Sequence, residues 1–283
     1  MLRRPHISIA TGCALVVGCA LIGGTALAGG ERAQATYPSS IAVLGHSGAT
    51  GENSDPNRPG AVVRANSWAT GTNPAVNSLY LRILTKNPKI KGRRFNLAQG
   101  GATVRDLVRQ AGRAVALKPK PKLIVIQIMD NDIVCPVTRR DLTSFRSTFV
   151  SALRKLARGA PKSRFFVVSQ FGSPGTYAEA LTLAERQTIG GSGPCDFVDP
   201  SGQIVPAKVA RLDNVIHRYE AQLAAGCKRF RRCRYDGGAA GRIVDQREYY
   251  SSDLNHFSIR GHAEAAAVAW SAMQHLGLIP PAG

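Results

Sequence analysis

Acidic side chains are scarce in this chain of 283 residues: 18 Asp and Glu stand against 37 Lys and Arg, giving a formal net charge of +19. A field of that sign draws the protein toward anionic surfaces or polymers without naming one. No nucleic-acid-binding motif accompanies the charge, so nucleic acid is not an expected partner. Spacings that bind metals are missing as well. No two cysteines form a Cys-x-x-Cys pair, and His256 and His262 are not at a ligand spacing, so neither a metal nor another cofactor is expected. Internal repeats and long linkers are also lacking, which leaves one large domain as the expectation. Aromatic residues make up only 6% of the chain, and Trp68 and Trp270 read as packing residues rather than substrate platforms.

The one long apolar run lies at the start. Arg3 and Arg4 precede apolar residues from about Ile7 to Ile22, and Ala26-Leu27-Ala28 supplies a small-x-small cleavage pattern. Residues 1–28 therefore read as a signal peptide, residues 29–37 as a loose polar segment and residues 38–283 as the folded domain. A retained membrane anchor is the alternative reading of the same run. A lipoprotein box at Val16-Val17-Gly18-Cys19 is a lesser one, because apolar character continues past Cys19. Cleavage leaves no stable membrane span and implies a secreted, monomeric product. Cys135, Cys195, Cys227 and Cys233 remain, an even number in an exported protein, which points to two disulfides. Of the three possible pairings, Cys227–Cys233 closes a short loop and Cys135–Cys195 ties two longer ones, and this combination is favoured.

Short apolar runs alternate with helical patterns along the domain, which predicts parallel strands joined by crossover helices in a three-layer α/β/α sandwich with a five-stranded sheet. The strands are expected at Ser40 to Leu44, Arg94 to Leu97, Leu123 to Ile128, Arg164 to Ser169 and, less distinctly, Arg242 to Val244. Helices are expected at Ala75 to Thr85, Thr103 to Leu117, Asp141 to Ala157, Ala207 to Ala225 and Ser258 to Leu276. Residues 170–204 read as a glycine-rich insertion with a short helix near Glu179 to Arg186. The basic run Lys228 to Arg234 reads as a solvated loop.

Four polar blocks fall at the ends of these strands or before the last helix: Gly45-His46-Ser47, Asn96-Leu97-Ala98-Gln99-Gly100-Gly101-Ala102-Thr103, Asp130-Asn131-Asp132 and Asp253-Leu254-Asn255-His256. The C-terminal edge of an open α/β sheet is where sites form. Their order resembles the SGNH (GDSL-like) family of esterases and lipases over about residues 40–276. The resemblance implies a flavodoxin-like SGNH hydrolase fold and a carboxylic ester substrate. It implies Ser47 as nucleophile, His256 as base and Asp253 as the residue orienting it. The backbone N–H of Ser47, that of Gly101 and the side-chain amide of Asn131 would form the oxyanion hole, with Gly100 an alternative to Gly101.

Two residues depart from the family pattern: His46 stands where Asp usually precedes the serine, and Met129 where Gly usually opens the Asn block. Ala49 breaks the Gly-x-Ser-x-Gly string that an α/β-hydrolase would need at Ser47. His46, His217, His262 and His275 read as bystanders. The substrate is expected to be an acyl lipid or acetylated glycan, with phospholipid or acidic glycan favoured by the basic surface. A non-catalytic exported protein of the same fold that binds anionic cell-envelope polymer is the rival reading.

Overall fold

Five strands, β1 (Ile41–Gly45), β2 (Arg94–Asn96), β3 (Leu123–Gln127), β4 (Arg164–Val168) and β5 (Cys233–Tyr235), pair in parallel in the order β2-β1-β3-β4-β5. The computed structural model describes residues 35–281. The expected signal peptide and Cys19 lie outside the described residues. β1 and β3 are buried along their full length, which is why both are near-continuous apolar runs.

Successive residues of the central strands point to opposite faces and seed two separate cores. Ala42, Leu44, Ile124, Ile126, Phe165 and Val167 pack with α2 (Val104–Ala116), α3 (Arg139–Gly159) and α6 (Pro206–Lys228). Ile41, Val43, Leu123, Val125, Phe166 and Val168 pack with α1 (Leu79–Lys86) and α7 (Ile259–His275). The result is the expected three-layer α/β/α sandwich.

The fifth strand is not at residues 242–244. Those residues end a single-turn helix and lead to Val244, which is 67% exposed. The strand lies instead inside the basic run, where Cys233-Arg234-Tyr235 alternates inward, outward and partly inward and pairs with Phe165–Val167. A disulfide between Cys227 and Cys233 fastens the end of α6 to this strand. The insertion holds two helices rather than one, α4 (Pro174–Ala180) and α5 (Leu183–Ile189). Ser173 caps the first, and Thr182 with Glu185 forms a capping box on the second, so the chain is reset between them.

The closest backbone approach occurs where β1 ends. Gly45 has φ of +143°, and a Cβ there would lie 1.8 Å from the Gln127 carbonyl oxygen on β3. Gln110 of α2 clamps the same residue: its Oε1 accepts from the Gly45 N–H at 2.7 Å and its Nε2 donates to the Gly45 carbonyl at 2.9 Å. Only glycine combines this φ with this contact. Gly45→Ala is therefore expected to lower stability by about 3 kcal/mol or more, measured by urea unfolding; a variant within a few tenths of the parent would contradict the close approach.

Candidate active site

The chain leaves β1 through a tight turn. His46 donates its N–H to the Gln127 carbonyl at 3.2 Å, and Ser47–Ala49 form one helical turn capped by the His46 side chain, whose Nδ1 accepts from the Gly48 N–H at 3.2 Å. His46 is buried, and that burial lowers its pKa despite the opposing pull of Asp130. A neutral imidazole with a bare Nδ1 is what such a cap requires. The departure from Asp at this position thus replaces one acceptor with another, and His46 serves the turn rather than the chemistry. Asn96, from the glycine-bearing block, donates to the Ala49 carbonyl at 2.9 Å and steadies the turn from β2.

Asp253 and His256 form a tight pair, with His256 Nδ1 2.6 Å from Asp253 Oδ2. Four other donors converge on this carboxylate. Oδ1 accepts from Ser251 Oγ at 2.6 Å and from the N–H groups of Asn255 and His256, each at 3.0 Å. Oδ2 accepts from Asn53 Nδ2 at 2.5 Å. Burial alone would raise the Asp253 pKa; the hydrogen bonds from His256, Ser251 and Asn53 outweigh it and hold the carboxyl well below the usual range. An ionised Asp253 favours the tautomer with the proton on Nδ1, which leaves Nε2 with a free lone pair. Leu254, between the pair, has φ of +58°, and its carbonyl accepts from the Tyr177 hydroxyl of α4. Asn53 is a residue the sequence reading missed. Its backbone is left-handed (φ +57°).

Ser47, Asp253 and His256 line one cavity of about 470 Å³. Ser47 Oγ makes no hydrogen bond among the described residues, so the hydroxyl and the imidazole share a cavity without being bonded; such contacts often tighten only around substrate. Part of the cavity lining is apolar: Ile133, Tyr177, Phe197, Leu212 and Ile216 come from the insertion, from α6 and from the loop after β3. A disulfide between Cys135 and Cys195 joins that loop to the insertion.

Gly101 and Asn131 are exposed and are not among the cavity-lining residues. They are nonetheless drawn together: Asn131 Nδ2 donates to the Ala102 carbonyl at 3.1 Å, beside Gly101, whose φ is +69°. Met129, in the place of a glycine, adopts φ +153° and ψ −38° with its side chain buried in the core, so the Asn block keeps a glycine-like entry at some cost in strain. Trp68 is fully buried and donates to Gln127 Oε1 at 3.1 Å, a packing role.

His262 of α7 is buried with Nδ1 unpartnered among the described residues, its ring edge-on to Phe257. Burial first, and the neighbouring His256 second, lower its pKa from the ordinary 6.5 to about 3.

A family model described as GDSL-like Lipase/Acylhydrolase matches residues 41–268. No curated protein matches the chain significantly. Among solved structures the chain is similar to TesA, with 13% identity over 84% of this chain and 99% of that one and a TM-score of 0.51. It is also similar to a mutant of Axe2, an acetyl-xylooligosaccharide esterase from Geobacillus Stearmophilus, with 16% identity over 88% of this chain and 98% of that one and a TM-score of 0.51. At these identities both likenesses bear on the fold.

The buried imidazole sets a pH dependence. His262 is neutral in the folded chain and protonates when released, so its contribution to stability is present above pH 6.5 and is lost as pH falls toward 3. Across pH 6 to 4.5 this amounts to about 1 kcal/mol per pH unit. His262→Phe is expected to flatten the slope of unfolding free energy over that window by about this amount, read from urea titrations at several pH values; an unchanged slope contradicts a buried neutral His262.

Proposed function

Because the chain belongs to the GDSL-like lipase/acylhydrolase family, and is thereby a carboxylic ester hydrolase, we propose that it works through Ser47, His256 and Asp253 with a covalent acyl-enzyme. The observation that carries this reading is that the Ser47 turn and the Asp253–His256 pair border the same cavity. His256 Nε2 takes the Ser47 proton as Oγ attacks the ester carbonyl. Asp253 holds the imidazole in the required tautomer and stabilises the imidazolium that forms. The developing oxyanion is received by the N–H groups of Ser47 and Gly101 and by the Asn131 amide. His256 then protonates the leaving alkoxide, and a water activated by the same nitrogen releases the acid.

The cavity supports an acyl group larger than acetyl. An acetyl group needs only a small part of about 470 Å³, and Phe197, Leu212 and Ile216 give the lining apolar surface beside its polar groups. An apolar chain lodged there gains roughly 0.8 kcal/mol per buried methylene. Acyl lipid is therefore favoured over acetylated glycan. The apolar leader, the paired cysteines and the lack, among the described residues, of any helix long and apolar enough to cross a membrane support an exported enzyme. The basic surface supports contact with phospholipid or acidic polymer.

Two measurements test this. Ser47→Ala and His256→Ala are each expected to lower kcat on a chromogenic octanoyl ester by about 10³-fold or more, with unfolding curves unchanged, and Ser47→Ala should abolish labelling by a fluorophosphonate probe. Retained turnover in either variant sinks the assignment. Leu212→Trp, which adds bulk to the apolar lining of the cavity, is expected to shift the chain-length optimum toward acetyl and butyryl esters. An unshifted profile would mean that the acyl chain does not enter this cavity.

A further inference from the structure

Glu52 stands beside the proposed catalytic groups without a part in the chemistry described so far. Its Oε1 lies 4.0 Å from His256 Nε2. Its Oε2 is buried and has no hydrogen-bond partner among the described residues. The carboxylate is wedged rather than loose: a Cβ on Gly100 would lie 2.6 Å from Oε2, so a side chain at that glycine would displace it. The backbone on either side is held too. The Glu52 N–H donates to Thr50 Oγ1 at 3.1 Å, and the Thr50 hydroxyl donates to the Ser47 carbonyl at 2.8 Å. Asn53 is anchored on Asp253.

The two halves of an ester leave the scissile carbon in different directions, and the protein surrounds these directions differently. In the esterase reading above the acid half enters the cavity, and Glu52 is not among the residues that line it. On the alcohol side, the ester oxygen must come within about 3 Å of His256 Nε2 to receive its proton. Glu52 Oε1 is 4.0 Å from that same nitrogen. A group on the carbon next to the ester oxygen therefore comes within hydrogen-bond reach of Glu52.

An ionised carboxylate accepts hydrogen bonds and donates none. One that faces the leaving group is costly to cover with a plain alkyl group, because the alkyl removes water and offers no donor in return. A hydroxyl on the alcohol would donate to Oε1, the oxygen that faces His256. A cationic head group would also satisfy the carboxylate, but the overall charge of +19 opposes the approach of cations.

We infer that Glu52 selects the alcohol half of the substrate, which is a polyhydroxylated alcohol such as glycerol or a sugar, esterified to an apolar acid. This rests on the esterase reading above. Glu52 is a specificity residue that touches the leaving group, and its effect is confined to substrates able to donate to it.

The test compares kcat/KM for glyceryl monooctanoate, octanoylcholine and ethyl octanoate in the parent enzyme, Glu52→Gln and Glu52→Ala. The parent should favour the glyceryl over the ethyl ester by about tenfold or more, the scale of a hydrogen bond to a charged group. Glu52→Ala should collapse that ratio toward one, and Glu52→Gln, which keeps an acceptor oxygen and the side-chain shape, should reduce it partway. An identical ratio in all three proteins overturns the inference, as does an equal loss on both esters. A parent preference for the choline ester that Glu52→Ala removes overturns it in favour of charge recognition. If the parent cuts none of the esters and Ser47 resists the fluorophosphonate probe, the esterase reading fails and this one falls with it. Esters cut at an unchanged ratio remove this inference alone.

Discussion

The joint between the ends of β1 and β3 is the constraint on which the rest of the site depends. Gly45 packs its α-carbon against the Gln127 carbonyl, and the Gln110 amide closes both of its backbone hydrogen bonds from α2. The backbone N–H and carbonyl of Gly45 at this buried strand end are thereby both satisfied by one side-chain amide. The turn that follows leaves the sheet from a fixed strand end, so the placement of Ser47 is constrained two residues before the serine. Gln127 serves twice, since its backbone receives His46 and its side chain receives Trp68. One residue of β3 thus sets the nucleophile turn and the core beside it.

The opposite side of the site is governed by hydrogen bonding rather than packing. Asp253 collects donors from its own loop and from Asn53 on the segment after the nucleophile turn. Asn53 and Glu52 make the two halves of the site interdependent, because neighbouring residues of one segment meet Asp253 Oδ2 and approach His256 Nε2. The insertion adds a third tie through Tyr177, which holds the Leu254 carbonyl. Residues carried by three separate loops thereby share one rigid neighbourhood.

The sheet was legible wherever burial wrote it into the sequence. β1, β3 and β4 are apolar enough to be read directly, and the four polar blocks stand where a parallel sheet places its site. β5 was hidden because an edge strand of three residues with an arginine facing solvent has the composition of a basic loop. Asn53 and Glu52 left no trace in the sequence, since their roles arise from contacts across roughly two hundred residues. His46 looked like a defect in a motif, and its function as a cap emerges only from the Gly48 N–H it accepts. The cavity is similarly non-local, assembled from the insertion, α6 and the loop after β3.

The bond between Cys135 and Cys195 spans 60 residues and fastens the insertion to the loop that follows the central strand β3. Chemical competence and substrate fit are therefore separable properties of this fold: the groups that would move protons stand on other loops, and none depends on a thiol. With this bond reduced, Ser47, Asp253 and His256 would keep their supports beside a looser apolar lining. Closing it would trim the cavity without touching those three residues.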